Sequence, residues 1–215
     1  MWGVTADMPH ADQVRNHARW RPGWHAGRTS YAWLLPFSDQ PGLRTLVNNY
    51  QYALRELPGF DLVPLEWMHI LVQEVGFTDE IDDAALDSLV AETRSRLARI
   101  APFTLVFQRA LVQPESLSLP AEPQTTVTEL RSAVRGGAAA VLGEGGLPPV
   151  PEDVDRHVSL AHSTTEGPAI FAVATLSATE VDPATAKVGA LSLVELNRDH
   201  SCPEWRPVTQ VPLGA

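Results

Sequence analysis

The sequence has a single cysteine, Cys202, and no long apolar segment. One cysteine rules out an internal disulfide, which is compatible with a reducing compartment. The first ten residues contain no apolar run, so we predict neither a signal peptide nor a membrane span. Hydrophobic residues make up 44% of the 215 residues, which is enough for an ordinary core. We therefore expect a cytoplasmic monomer that does not contact membranes.

Basic residues are few, because 16 Lys and Arg face 26 Asp and Glu and the net charge is −10. Proteins that grip long nucleic acid usually carry a basic face, so this balance argues against a duplex partner but not against a local phosphate site. One early segment mixes arginines with aromatic residues. It either contacts a nucleotide or RNA end, or is a surface segment anchored by its tryptophans, which is the simpler interpretation. Its members are Arg15, Arg19, Trp20, Arg21, Trp24, His25 and Arg28.

Signatures of metal and nucleotide-triphosphate sites are also missing. Outside the strands discussed below, the histidines show no paired spacing such as His-x-x-x-His, so we predict no zinc site and no cofactor. Gly143-Glu-Gly-Gly146 lacks the Lys-Ser/Thr of a P-loop, and no predicted strand leads into it. This counts against an ATP-driven reaction. Cys202 has no catalytic partner nearby in sequence, and we expect it to be inert.

The apolar pattern predicts alternating strands and helices along the whole chain. Prolines and glycines, such as Pro41 and Pro58-Gly59, punctuate the predicted helices. The predicted strands cover residues 30–37, 67–77, 103–112, 156–162, 188–196 and 205–211, and the predicted helices cover 41–54, 82–100, 127–142 and 167–177.

The two halves of the chain repeat the order helix, histidine-bearing strand, helix, strand. His69 and His157 are 88 positions apart, and the helices and strands that follow them are 86 and 85 positions apart. Three similar offsets predict a duplicated unit, although the halves share little sequence identity. A pseudo-two-fold axis between the copies would bring the two histidines face to face.

Strand alternation places His157 and Ser159 on one face, with the hydrophobic residues between them directed into the core. In the first half, His69 and Leu71 share the matching face, with a leucine where a hydroxyl is expected. His162 follows His157 by five residues. On a regular strand it points to the opposite side, so we predict a structural role for it.

The two strands resemble the paired motifs of the 2H phosphoesterase superfamily. His157-Val-Ser-Leu-Ala resembles the second His-x-(Ser/Thr)-hydrophobic motif, and Trp67-Met-His-Ile-Leu-Val resembles the first, except for Leu71. Over roughly residues 15–214 the chain resembles the bacterial 2′-5′ RNA ligase-like branch. The supporting segments are Arg21-Pro-Gly-Trp24, Leu57-Pro-Gly-Phe60, Gly76-Phe77, Leu196-Asn-Arg-Asp199, Glu204-Trp205 and Pro212-Leu-Gly214.

The resemblance implies an α/β (α+β) bilobal fold, in which two antiparallel β-sheets with outer helices form a pseudo-two-fold duplicated unit around a central cleft. We expect one domain over residues 1–215, with an arm (1–28), a first histidine lobe (about 29–115) and a second (about 116–215), and with strands open to exchange between lobes. The resemblance also implies metal-independent and cofactor-independent chemistry on 2′,3′-cyclic phosphates or 2′-5′ linkages. The expected partner is thus a small nucleotide or RNA end.

The residue types suit this chemistry. Histidine titrates near neutral pH, so one of His69 and His157 can take a proton while the other gives one, and either assignment is open. The Ser159 hydroxyl would donate a hydrogen bond to a phosphate oxygen. Tyr31 and Trp205 either line the cleft and stack on a base or belong to the core.

Leu71 is the departure from the pattern. Losing one hydrogen bond to a charged phosphate costs roughly 1.5–3 kcal/mol, or about tenfold to a few hundredfold in rate. Two hypotheses follow. In the first, the chain is a phosphoesterase whose activity is reduced by Leu71 or whose pocket is reshaped by it for a less polar substrate. In the second, the chain is a phosphate- or RNA-end-binding module that has lost turnover.

Overall fold

The computed structural model describes residues 9–17, 22–148 and 156–214. Within these ranges the chain forms twelve strands and four α-helices. The strands are β1 (Gln13–Val14), β2 (Thr29–Pro36), β3 (Phe60–Leu62), β4 (His69–Phe77), β5 (Phe103–Phe107), β6 (Leu111–Val112), β7 (Ser116–Pro120), β8 (His157–Ser163), β9 (Gly167–Pro168), β10 (Ala184–Val188), β11 (Ala190–Asn197) and β12 (Glu204–Pro212). The helices are α1 (Pro41–Leu54), α2 (Asp83–Leu97), α3 (Gln124–Leu142) and α4 (Ile170–Ala178).

The helices form where the apolar stripes predict them. Helix α1 begins with Pro41 in its first turn, where a missing N–H costs nothing, and buries five apolar residues on one face. Helix α2 is capped by the Asp82 carboxylate, which accepts a 2.8 Å hydrogen bond from the backbone N–H of Ala85. Helix α1 packs against α4, and α2 packs against α3. These helices cover the main core on the outer sides of the sheets.

Two four-stranded antiparallel sheets carry the histidine strands. The first sheet has the order β12-β11-β2-β4, and the second has the order β3-β8-β7-β6. Strands are exchanged between the halves of the chain, since β11 and β12 join the first sheet and β3 joins the second. Strand β5 pairs with β10, and β1 pairs with β9. Strands β4 and β8, one from each sheet, lie next to each other.

The pairing of β2 with β4 is reproduced by the pairing of β7 with β8. Pro36 lies opposite His69, and Pro120 lies opposite His157. Each residue of β7 is 84 positions after its equivalent in β2, and each residue of β8 is 88 positions after its equivalent in β4. These two offsets hold for the successive residue pairs along both ladders. The duplication predicted from the histidine spacing is therefore visible in the register of the strands.

Each histidine strand also carries a β-bulge at the matching place. Val72 of β4 and Leu160 of β8 are skipped in the pairing with the neighbouring strand. A bulge inserts one residue and so exchanges the faces of the residues after it. Glu74 and His162, five residues after their histidines, therefore return to the face that His69 and His157 occupy.

Several predicted boundaries were wrong. The strand predicted over 103–112 is two strands, because residues 108–110 interrupt it. The strand predicted over 188–196 corresponds to β11, and β10 before it was not predicted. Gly167-Pro168 pairs with β1 and does not open a helix, which begins at Ile170. The short strands β3 and β7 were not predicted. Strand β3 has only three residues, and β7 is buried throughout, so that its serines and proline do not alternate with exposed positions.

The N-terminal segment runs along the second sheet. The backbone N–H groups of Ala11, Arg15 and His17 donate to the carbonyls of Val112, Pro114 and Ser163 at 2.7–2.8 Å. The described part of this segment is therefore held against the second sheet by its backbone. Arg19, Trp20 and Arg21 lie outside the described residues, so the prediction for them stays a prediction.

The end of the arm is anchored on the first sheet. The Arg28 guanidinium pairs with Asp79 and Glu80 and lies 3.5 Å from the centre of the Phe77 ring. Trp24 meets the same ring edge-on at 5.3 Å. In the described part of this segment, the arginine and aromatic side chains attach the segment to the protein surface, which accounts for their mixture. Among the described helices, none is long and apolar enough to span a membrane.

Candidate active site

His69 and His157 occupy the first positions of two neighbouring strands and are both partly buried. On each strand the next residue, Ile70 or Val158, is fully buried in the main core. Both imidazoles therefore point away from the core, and they are close enough that positive charge on His157 lowers the pKa of His69. The fold thus brings together the two histidines that the sequence paired.

The tautomer of His69 is fixed by a backbone carbonyl just before its strand. Nδ1 lies 2.7 Å from the backbone carbonyl oxygen of Trp67, which only accepts, so Nδ1 carries the proton. The pKa of His69 is lowered to about 4, mainly by burial and also by the charges of Arg198 and His157, while this hydrogen bond opposes the shift. At neutral pH His69 is therefore a neutral imidazole whose Nε2 holds a lone pair.

His157 is positioned through the residue before it. The side-chain amide of Gln124, in the first turn of α3, accepts from the backbone N–H of Arg156 and donates to its carbonyl, both at 2.9 Å. The backbone N–H of Ala121 donates to the same carbonyl. The chain enters β8 in one defined direction, because both backbone groups of Arg156 are held.

The second sheet presents a row of hydroxyls on the histidine face. Ser118 lies directly opposite Ser159 in the β7–β8 ladder, and Ser116 lies opposite His162, so all these side chains share one face. The Ser118 hydroxyl is buried and has no hydrogen-bond partner among the described residues. An orphaned buried hydroxyl is uncommon, and bound water or a ligand is the usual partner of such a group. Ser118 was not predicted, because β7 was not recognised as a strand.

The first sheet presents an apolar wall on its matching face. Ala32, Leu34 and Val194 form a small cluster separate from the main core, and Leu71 and Trp205 pack against it. The Trp205 ring meets Trp67 edge-on at 5.6 Å. Beyond this wall lies a cavity of about 480 Å³, with Trp205, Pro36, Ser192, Lys187 and Gln210 among its lining residues.

The two aromatic residues predicted at the cleft therefore have different places. Trp205 lies on the histidine face of the first sheet, beside Leu71. Tyr31 packs against the main core, on the other face of β2 from Ala32. Of the two alternatives for Tyr31, the structure shows packing against the core.

His162 was predicted to face away from His157, and this was wrong. The bulge at Leu160 returns it to the face of His157 and Ser159. The bulged carbonyl is satisfied by the backbone N–H of Val63 and by the Gln51 side chain, at 2.9 and 3.0 Å. A bulge leaves no clear mark in a single sequence, so strict alternation gave the wrong face.

His162 stacks on His17 of the N-terminal arm, with ring centroids 4.2 Å apart and an angle of 16° between the planes. The pKa of His162 is lowered to about 3, mainly by burial and also by positive charge on His17, His69, Arg198 and His157. His162 therefore stays neutral at physiological pH. His162 is thus within electrostatic range of three other histidines and of Arg198.

Arg198 is the buried cation at this cleft. Its Nη2 donates to Glu74 Oε1 at 3.2 Å, and its guanidinium lies 5.4 Å from the centre of the Trp24 ring. Glu74 occupies the position in β4 that His162 occupies in β8. Arg198 was noticed in the sequence only as part of Leu196-Asn-Arg-Asp199, and its place at the cleft follows from the β11 register and the β4 bulge.

No group of three or more His, Cys, Asp or Glu side chains within the described ranges is arranged to hold a metal ion. Cys202 is buried, and its Sγ lies 3.7 Å from the carbonyl oxygen of Leu62. Burial raises the pKa of its thiol, so it remains protonated and unreactive at neutral pH.

Two antiparallel sheets that bring duplicated histidine strands to one cleft are the fold of 2H phosphoesterases. The family model of the 2′-5′ RNA ligase superfamily matches residues 39–200, and the chain belongs to that superfamily of phosphoesterases and RNA ligases.

The fold is similar to that of several solved structures. TT0787 of Thermus thermophilus has a TM-score of 0.63 and 22% identity over 87% of this chain and 98% of that chain. E. coli LigT complexed with 3′-AMP has a TM-score of 0.61 and 16% identity over 86% and 98% of the two chains. LigT complexed with NADP+ has a TM-score of 0.59 and 13% identity over 87% and 99%. No curated relative matches the sequence significantly.

Proposed function

We propose that the chain is a phosphoesterase that opens cyclic phosphodiesters on small nucleotides or RNA ends by acid/base catalysis. The observation that carries the proposal is the state of His69, a neutral imidazole with a defined Nε2 lone pair that faces a second histidine. The orphaned Ser118 hydroxyl beside Ser159 supports a phosphate between them. The small nucleotides in the LigT structures fit a ligand of this size.

The fixed tautomer favours one assignment of roles for hydrolysis. Nε2 of His69 takes a proton from water as the water oxygen attacks phosphorus. The bond from phosphorus to one ribose oxygen breaks, and protonated His157 gives its proton to that leaving oxygen. The product is a phosphate monoester with one free hydroxyl, and exchange with solvent restores both imidazoles.

Hydroxyls and a buried cation would hold the phosphate. Ser159 and Ser118 would donate to a non-bridging oxygen, and the charge of Arg198 would favour an anion at the cleft of an otherwise acidic protein. The pairing of Arg198 with Glu74 keeps the guanidinium fixed, so that no reorganisation is needed during the reaction.

The test is hydrolysis of 2′,3′-cyclic nucleotides in the presence of EDTA. We expect turnover that is lost in both His69→Ala and His157→Ala and is kept in His200→Ala. His200 is a matched control because its side chain is 68% exposed. A strict requirement for a metal ion would contradict the mechanism.

A second candidate is a module that binds a phosphorylated RNA end without turnover, and Leu71 is the observation that favours it. It would be supported if a 2′-phosphorylated nucleotide bound, with loss of affinity in His157→Ala, while no cyclic nucleotide was hydrolysed. That result would contradict the proposed enzyme.

A further inference from the structure

The two walls of the cleft differ in chemistry at three matched positions beside the histidines. The repeated register allows the comparison residue by residue rather than by composition. Each hydroxyl of the second sheet faces an aliphatic side chain at the equivalent position of the first. The pairs are Ser159 and Leu71, Ser118 and Leu34, and Ser116 and Ala32.

Beside the histidine pair, the apolar wall offers no accessible hydroxyl among the residues that the structure describes, and the buried Arg198 guanidinium on this side is paired with Glu74. Ala32, Leu34 and Val194 are fully buried under Leu71 and Trp205. The indole N–H of Trp205 is itself buried. Ser192, the nearest hydroxyl in the first sheet, is 6% exposed and lies on the far side of Leu34 from β4.

We propose that the site binds its phosphodiester from one side, so that Leu71 determines which group at phosphorus is accepted. This rests on the proposed function. The hydroxyls of Ser159 and Ser118 hold one non-bridging oxygen, and the other non-bridging position lies on Leu71. The substrate class therefore includes diesters with a weakly hydrogen-bonding atom at that second position, of which a phosphorothioate diester is the simplest.

The physical reason is the difference between oxygen and sulfur. A non-bridging sulfur is larger and accepts hydrogen bonds more weakly than oxygen. Facing Ser159 and Ser118, it loses a charge-assisted hydrogen bond, which corresponds to about tenfold or more in rate. Facing Leu71, it loses no such bond and gains apolar contact.

The experiment uses the Rp and Sp diastereomers of uridine 2′,3′-cyclic phosphorothioate, with the oxygen parent, in EDTA. We expect the full-length protein to hydrolyse one diastereomer within about threefold of the parent rate and the other about tenfold or more slowly. Slowing of both diastereomers by the same factor would overturn the proposal.

Leu71→Thr and Leu71→Val form a matched pair, because they differ only in a hydroxyl in place of a methyl. We expect Leu71→Thr to slow the tolerated diastereomer relative to the oxygen parent, while Leu71→Val keeps the wild-type ratio. Ser159→Ala removes a donor from the opposite wall and should reduce the difference in rate between the two diastereomers. Identical ratios in the Thr and Val variants would overturn the proposal.

A binding measurement separates this inference from the proposed function. Titration calorimetry with uridine 3′-monophosphate is carried out on wild type, Leu71→Thr and Leu71→Val, with thermal unfolding to confirm that each variant is folded. If no cyclic substrate is hydrolysed, the proposed function fails, but tighter binding in Leu71→Thr alone still supports one-sided binding. Equal affinity in the Thr and Val variants overturns it.

Discussion

Nδ1 of His69 donates a 2.7 Å hydrogen bond to the carbonyl of Trp67, the last residue of the turn before its strand. The bond leaves Nε2 as the only ring nitrogen that can take a proton, and burial keeps this imidazole neutral. His69 is thus held in one tautomer before any ligand arrives.

The pH at which His69 titrates is the first prediction. Its pKa is lowered to about 4, so its imidazole NMR signal should show a midpoint near pH 4 and little change near 6.5. The acid limb of kcat/KM should follow the same midpoint. In Arg198→Gln with Glu74→Gln, which removes both buried charges together, both midpoints should move upward. A midpoint near 6.5 in the wild type would contradict the mechanism.

The stability of the protein in acid is the second prediction. The pKa of His162 is lowered to about 3, so the unfolded chain binds its proton first as the pH falls below 6.5. Stability is therefore lost from about pH 6.5 downward, at up to about 1.4 kcal/mol per pH unit for this residue. In His162→Gln the loss between pH 6.5 and 5 should be smaller by about 1.6 kcal/mol, as measured by urea unfolding. Equal pH dependence in both proteins would show that His162 is not held neutral.

The third prediction separates stability from function at Ser118. Its hydroxyl is buried without a partner among the described residues, so Ser118→Ala should unfold at equal or higher urea concentration, with a gain of up to about 1 kcal/mol. The same change should lower kcat/KM by about tenfold or more, because the phosphate loses a donor.

Ser30→Ala is the matched control for Ser118→Ala. Ser30 is also a buried serine without a hydrogen-bond partner in the described structure, but it pairs with Phe77 at the far end of β4 from His69. It should give a similar change in stability with unchanged kcat/KM. A loss of activity in both variants would point to a general effect of packing.

The fourth prediction concerns Gln124 as a positioning residue for His157. Gln124→Met keeps the size of the side chain but removes both hydrogen bonds to Arg156, at a cost of about 1–3 kcal/mol in the free energy of unfolding. Because the entry into β8 is loosened, kcat should fall more than KM rises. Gln40→Met, which removes hydrogen bonds to Asp39 and to the backbone N–H of Lys187, away from β8, is the control. If kcat falls equally in both, Gln124 has no special role at His157.

Part of this site could be predicted from the sequence. The pairing of His69 with His157, the place of Ser159 and the substitution at Leu71 all lie within short segments, where apolar alternation assigns each side chain to a face. Helices α1, α2 and α3 were also predicted well, because each shows an apolar stripe with a cap, a proline or a glycine at its ends.

The rest depends on contacts between distant segments. A bulge in β8 turns His162 into the cleft. Ser118 lies on β7, which was not recognised as a strand, and Arg198 is held at the cleft by its buried ion pair with Glu74. A bulge depends on the pairing between two strands, and β7 is stabilised by its neighbours rather than by its own pattern.

The sequence by itself determined the duplicated unit, the histidine pair and the asymmetry between Leu71 and Ser159, because residue identity and spacing decide these. Only the tertiary structure decided the protonation states of His69 and His162 and which side chains lie beside them. Both depend on burial and on charges brought together across sheets, and neither burial nor an electric field is local in the chain.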